Sequence, residues 1–153
     1  MRLIKLALIS LIILFGLITL ISLLIPSDIS ITRAVNLRSR PEKVLSLVND
    51  TTNWPTWNPL LAPHPDHPPV KGSITSRTDS SVTASLQQGN KSPVQTSWQV
   101  YSFSNSDSVT LRWTMNFHLP WYPWKKFEGI FFEKAYGPLM EQGLQNIKKL
   151  TRN

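Results

Sequence analysis

The chain has 153 residues, 16 Lys and Arg against 9 Asp and Glu, a net charge of +7, and no cysteine. Without cysteine, disulfides, thiol catalysis and cysteine-ligated zinc are excluded. The positive charge is scattered in runs no longer than Lys125-Lys126 and Lys148-Lys149. It lacks the clustered stripe or reader motif of a nucleic-acid binder and fits better beside anionic lipid head groups.

The stretch Leu6–Ile25 carries no charge and only Ser10, Thr19 and Ser22 as polar side chains. As a helix it would rise about 30 Å, the thickness of a bilayer hydrocarbon core. A secretory signal would have a shorter apolar run and a small-x-small cleavage site. Leu23-Leu24-Ile25-Pro26-Ser27 offers bulky residues there. Residues 1–27 are therefore read as an uncleaved transmembrane anchor that partners the bilayer through Leu6–Ile25. Residues 28–153, roughly 125 in number, are the size of one domain. Arg2 and Lys5 before the run argue for a cytoplasmic N-terminus and an extracytoplasmic domain. Arg33, Arg38, Arg40 and Lys43 beyond it weaken that asymmetry.

Ile29, Ile31, Val35 and Leu37 alternate with Ser30, Thr32 and Asn36, the pattern of a half-buried strand. Ser39-Arg40-Pro41-Glu42 predicts a helix start: a cap at Ser39 or Arg40, a preset φ at Pro41, and an acid at the positive helix end. Asn49-Asp50 ends that helix, and Trp54–Leu61 predicts a second short helix or turn. Four prolines make residues 62–69 a stiff connection. Next come the alternating runs Val82–Gln87, Val94–Val100 and Val109–Leu119, with turns at Gly89–Pro93 and Ser104–Ser108. Such alternation implies an antiparallel sheet with one covered face. The cover is Lys125–Leu150, where Phe127, Ile130, Phe131, Leu139, Leu144, Ile147 and Leu150 recur every three or four residues. Gly137-Pro138 is expected to kink or split it.

Ser39-Arg40-Pro41-Glu42-Lys43-Val44, then Asn49-Asp50 and Trp54-Pro55-Thr56-Trp57-Asn58-Pro59, resemble the opening of the polyketide cyclase/dehydrase-and-lipid-transport family of the START-like (SRPBCC) superfamily. Gly137-Pro138-Leu139-Met140-Glu141-Gln142-Gly143-Leu144-Gln145-Asn146-Ile147-Lys148 is similar to that family's closing helix. A branch of the family carries an N-terminal anchor. The resemblance covers about residues 28–150 through its two ends. It implies an α+β helix-grip fold: a curved antiparallel sheet wrapped around a long C-terminal helix, with an apolar cavity between them. About four strands are legible between Pro69 and Leu119, against the family's usual six, so either Val70–Asp79 hides one or the sheet is trimmed.

Candidate site residues follow from this frame. Trp98, Trp113, Met115 and Phe117 share the covered sheet face, as core or as cavity wall. Trp54 and Trp57, three apart, would gate a cavity mouth, meet the membrane interface, or plug one end of the sheet. Arg33 interrupts the apolar face of the first strand, either to hold a ligand anion or to reach the sheet edge. Trp121, Tyr122 and Trp124 beside Lys125-Lys126 have the composition of a membrane interface, or of a loop packed under the helix. His64, Asp66 and His67 lack the convergent ligands zinc requires and are read as solvated. No phosphate loop, dinucleotide fingerprint or catalytic triad is legible, so no cofactor, metal or catalytic residue is assigned. The expected function is binding of a lipid or other apolar small molecule. Two alternatives stand beside it: a cyclase or dehydratase, for which Arg33 and Tyr101 are the only candidates, and a partner-binding module with a packed core.

Overall fold

The computed structural model describes residues 2–63, 65, 68–103 and 106–152. Its helices are α1 (Arg2–Leu23), α2 (Pro41–Asn49), α3 (Trp54–Trp57), α4 (Pro123–Gly129) and α5 (Phe132–Thr151). Its strands are β1 (Asp28–Leu37), β2 (Val70–Arg77), β3 (Ser81–Gln88), β4 (Val94–Ser102) and β5 (Val109–His118). They form one antiparallel sheet in the order β1-β5-β4-β3-β2. Val70–Arg77 is thus a strand, and four strands follow the short helices. The sheet is a trimmed helix-grip.

The chain divides into two compact units. In the first, the N-terminal stretch through Ile29 joins His118–Phe132. Helix α1 is long and apolar enough to cross a membrane, and it packs against α4. Ser22 is completely buried there. Leu119 N–H donates to Ser27 O at 2.7 Å, and His118 Nδ1 pairs with Asp28 Oδ1 at 2.7 Å.

The second unit holds Ser30–Phe117 and the chain from Glu133 onward. The strict alternation of β5 buries Val109, Leu111, Trp113, Met115 and Phe117 on one face. Register then stacks the apolar positions across the sheet: Val82 opposite Trp98, Trp98 opposite Trp113, Val100 opposite Leu111. Helix α5 closes this face with Gly137, Met140, Gly143, Leu144, Ile147 and Thr151, the three-and-four spacing of one helical stripe.

Helix α2 starts as predicted, with Pro41 in its first turn and Arg40 at the cap, but neither Arg40 nor Ser39 makes a side-chain cap bond. Asp50 instead caps the next turn, accepting from Thr52 N–H at 3.1 Å. One expectation changes location. The C-terminal helical region breaks at Ile130-Phe131, while α5 runs without interruption through Pro138. Pro138 lies in the second turn and faces solvent, so its missing N–H costs one ladder bond near a helix end where such bonds are few. The break falls just past Gly129, where a Cβ would lie 2.6 Å from Ile29 Cδ1.

Candidate functional site: an apolar groove beside a tryptophan core

Trp54, Trp57, Trp98 and Trp113 meet between the sheet and α5. Each is at most 1 % exposed. Trp98 is the hub, with ring centroids 5.3 Å from Trp54, 5.9 Å from Trp57 and 5.6 Å from Trp113. Tilted and edge-on contacts at these separations are the favoured aromatic geometries. The WPTW sequence puts Trp54 and Trp57 on one side of the single turn α3, and both point inward. Register puts Trp98 and Trp113 side by side on β4 and β5. These rings occupy the interior where the family resemblance implies a cavity.

Their polar atoms are unevenly satisfied. Trp54 Nε1 donates to Val48 O at 2.7 Å and Trp113 Nε1 to Thr96 Oγ1 at 2.7 Å. Trp57 Nε1, Trp98 Nε1 and the Nδ2 of fully buried Asn58 have no acceptor among the described residues. The turn carrying Trp57 is tied to α5 through Asn146 Nδ2, which donates to Trp57 O at 3.1 Å.

Beyond the tryptophans lies a groove. Its inner part, about 120 Å³, is lined by Leu60, Val70, Leu86, Val94, Met115 and Tyr136, with Gln88, Lys91 and Ser92 at the rim. An adjoining part of about 280 Å³ shares Leu60, Val70 and Gln88 and adds Leu139, Pro59, and Pro63, Pro68 and Pro69 of the 62–69 connection. Val70, Leu86, Val94 and Met115 come from four successive strands, Tyr136 and Leu139 from α5, and Leu60 from the loop after α3. The groove therefore opens between sheet and C-terminal helix. Lys91 Nζ donates to Gln88 Oε1 at 2.9 Å, which holds an ammonium at the rim. A larger recess of about 510 Å³ at the end of α5 is more polar: Leu37 is the one aliphatic side chain in its lining, beside Asn36, Arg38, Ser108, Lys148, Thr151 and Arg152.

The sequence-predicted residues divide among these places. Met115 lines the groove. Phe117 packs at a tilt of 43° against the groove residue Tyr136, with centroids 4.7 Å apart. Trp54, Trp57, Trp98 and Trp113 make the core behind it. His64, Asp66 and His67 lie outside the described residues. Tyr101 Oη donates to Gln99 Oε1 at 2.6 Å and accepts from Arg112 Nη1 at 3.0 Å, on the exposed face of the sheet. Leu60, Val70, Leu86, Val94 and Leu139 join the groove without being candidates from the sequence. Their signal was faint: β2 has few apolar residues, and Leu60 and Leu139 sit beside prolines.

Arg33 reaches across to α5. Its Nε donates to Glu141 Oε1 at 2.7 Å, its Nη2 to Glu133 Oε1, and its Nη1 to Thr32 O at 2.9 Å. Gly137, midway between the two glutamates, makes this crossing feasible: a Cβ there would sit 2.6 Å from Arg33 Nη2. Hydrogen bonds to Glu133 and then Glu141, reinforced by their charge, raise the Arg33 pKa above that of an ordinary guanidinium. A cation with a raised folded-state pKa contributes fully below its unfolded value and loses that contribution only as pH climbs through the higher one. Arg33→Met is thus expected to lower stability by about 1 kcal/mol, modest because the cluster is partly exposed. The loss should be equal at about pH 6 and about pH 9; thermal melts of both proteins at the two pH values check this.

In the first unit, Trp121, Tyr122 and Trp124 form a stacked set. Tyr122 lies 5.0 Å from Trp121 and 5.3 Å from Trp124, the latter pair nearly parallel at 6°.

No family model and no curated protein matches the sequence. Solved structures do match in three dimensions. The protein XoxI from Bacillus cereus is similar at a TM-score of 0.61 and 15 % identity, over 81 % of this chain and 96 % of that one. A START superfamily protein from Mycobacterium smegmatis is similar at a TM-score of 0.54 and 18 % identity, over 80 % and 97 %. The Zhui aromatase/cyclase from a Streptomyces species gives a TM-score of 0.52 at 10 % identity, over 82 % and 94 %. With a five-stranded antiparallel sheet gripped by a long C-terminal helix, this chain has the START-like helix-grip fold.

Proposed function

We propose that this chain is a membrane-tethered START-like domain that binds a lipid or another apolar small molecule in the groove between the sheet and α5. The groove itself is the observation that carries the reading. Six apolar or aromatic side chains from the sheet, α5 and the α3 loop converge on one opening, and the rim bears an ammonium beside an amide. Binding sites of this kind combine apolar walls with a few placed polar groups. The inner space is small because the tryptophans fill the rest. It suits one chain end or ring of a ligand, with the remainder lying along the prolines and an anionic or polar head meeting Lys91. The fold shared with a START superfamily protein and an aromatase/cyclase supports a ligand-binding role.

Tethering is supported by α1, and by the four residues that separate its end at Leu23 from the start of β1 at Asp28. Arg2 and Lys5 ahead of the apolar run support an extracytoplasmic domain.

The test is photolabelling of the full chain in nanodiscs with a fatty acid carrying a photoreactive group at the chain end. Adducts are expected on peptides containing Leu60, Val70 or Leu139. Val70→Trp, which fills the groove, is expected to reduce them at least about tenfold, equivalent to about 1.4 kcal/mol of binding. Adducts confined to α1, unchanged in V70W, would overturn the groove as the site.

A further inference from the structure

The geometry points to a second membrane contact. The segment Pro120–Phe131 is an interfacial elbow, seated at the level of the lipid head groups and outermost acyl carbons and held there by the end of α1. This rests on the reading of α1 as membrane-spanning.

Depth follows from what clamps the segment. Lys126 is only 5 % exposed, and its ammonium donates to Ile25 O at 2.8 Å and Ser27 Oγ at 2.6 Å. Ile25 lies two residues past Leu23, at the C-terminal end of α1 where carbonyls lack intrahelical partners and a cation is favoured. One turn earlier, Ser22 is buried and Thr19 half-buried, while the rest of the described α1 is exposed. Their hydroxyls bond back to helix carbonyls, Thr19 to Phe15 O and Ser22 to Thr19 O, both at 2.8 Å. The polar residues of the apolar helix are thereby small and internally satisfied where α4 packs on it. Leu119 N–H bonds to Ser27 O at the other end of the elbow. The clamp spans residues 19–27, and the apolar run ends at Ile25. At 1.5 Å per residue, α4 lies within about 10 Å of the end of that run. A spanning α1 therefore carries α4 into the boundary between hydrocarbon and head groups.

The composition suits that depth. Trp121, Trp124, Ile130 and Phe131 are 58–65 % exposed and Tyr122 is 40 % exposed. Trp and Tyr favour the boundary layer because their rings are apolar and their N–H and O–H groups remain hydrated. The described charges of α4 do not oppose immersion. Lys125 Nζ pairs with Glu128 Oε2 at 2.6 Å, and Lys126 is spent on the chain itself. In water the same five side chains would form an apolar patch of the kind soluble surfaces avoid. The exposed Leu20 and Leu23 of α1, and Leu24 just past it, belong to the membrane run and to the same unit, in which α1 packs on α4. That continuity selects a bilayer, and not a protein, as the occupant.

The chain has no cysteine, so single-cysteine labelling is direct. Trp121→Cys, Trp124→Cys and Leu14→Cys are each labelled with an environment-sensitive fluorophore. The full chain is then reconstituted in phosphatidylcholine/phosphatidylglycerol vesicles containing shallow- or deep-brominated lipid. Leu14 is expected to be quenched most by deep bromines. Positions 121 and 124 are expected to emit to the blue of water and to be quenched more by shallow bromines. Lys126→Met, which removes the clamp, is expected to lower the quenching at 121 and 124 at least about twofold and leave Leu14 unchanged. Water-like, unquenched emission at 121 and 124 with Leu14 quenched would overturn the elbow and leave the anchor standing. Blue emission without quenching would overturn it in favour of a protein cover. Loss of quenching at Leu14 as well would refute the spanning helix on which the inference rests.

Discussion

Trp98→Ala is expected to destabilise the domain by about 3–5 kcal/mol, enough to leave much of it unfolded at physiological temperature. Trp98 is fully buried and is the ring that Trp54, Trp57 and Trp113 all touch. Deleting it removes one of the four largest side chains in the interior and leaves a void that the paired strands β4 and β5 cannot collapse into. Trp98→Phe separates packing from polarity. It loses part of the ring, but it also removes an indole N–H that has no acceptor among the described residues. A buried donor without a partner costs about 1–3 kcal/mol, so the phenylalanine variant should lose no more than about 1.5 kcal/mol. Urea unfolding of the full chain in nanodiscs, followed by near-ultraviolet circular dichroism, measures both. A Trp98→Phe loss as large as that of alanine would show that the indole N–H is satisfied in solution.

Gly143→Val is expected to cost about 3 kcal/mol, at the upper end for overpacked positions, and Gly143→Ala about 1–2 kcal/mol. Gly143 is where α5 closes on the tryptophan core. A Cβ there would lie 2.7 Å from Trp113 Cζ3 and 3.3 Å from Pro59 Cδ. The ring is rigid and backed by Trp57 and Trp98, at centroid distances of 6.0 and 5.6 Å. It has no room to retreat, so the helix must lift instead. Lifting α5 moves Tyr136 and Leu139, which line the groove. The valine variant should therefore also weaken photolabelling by the fatty acid, although position 143 does not line the groove. Thermal melts and labelling of one preparation test both effects. Unchanged melting of Gly143→Val would refute the tight closure.

Physical meaning can now be attached to the closing motif. Gly137 clears a path for Arg33, Glu141 receives its guanidinium, and Gly143 admits Trp113. Leu144 belongs to the buried stripe. The motif specifies how the helix seats on the sheet. It does not specify what the groove binds, which is why it indicates a fold and says little about activity. The opening motif behaves alike: WPTW supplies two inward indoles, and the buried Asn58 after them uses Oδ1 to accept from Leu60 N–H at 3.1 Å, shaping the loop that carries Leu60 into the groove.

The site was harder to read than the fold because the groove is assembled from residues with little in common along the chain. Val70 sits on an edge strand whose alternation is diluted by Ser, Lys and Gly, and Leu139 follows a proline. Their convergence depends on the bend of the sheet and the height at which α5 crosses it. Lys126 was equally opaque, since a lysine among aromatics reads as a surface charge until the carbonyl of Ile25 is found opposite it.

What the sequence determined by itself was local and periodic. The uncharged run of α1, the twofold alternation of β3, β4 and β5, and the three-and-four stripe of α5 each follow from burying one face of a regular element. Together they were enough to predict an antiparallel sheet covered by a C-terminal helix. Only the tertiary structure decided that four tryptophans occupy the interior, that binding space is confined to a groove at its end, and that Arg33 serves α5. It also decided that the chain from His118 to Phe132 packs with α1. The reason is physical: periodicity reports which face of an element is buried, whereas the volume left between buried faces depends on how side chains from distant positions pack against one another.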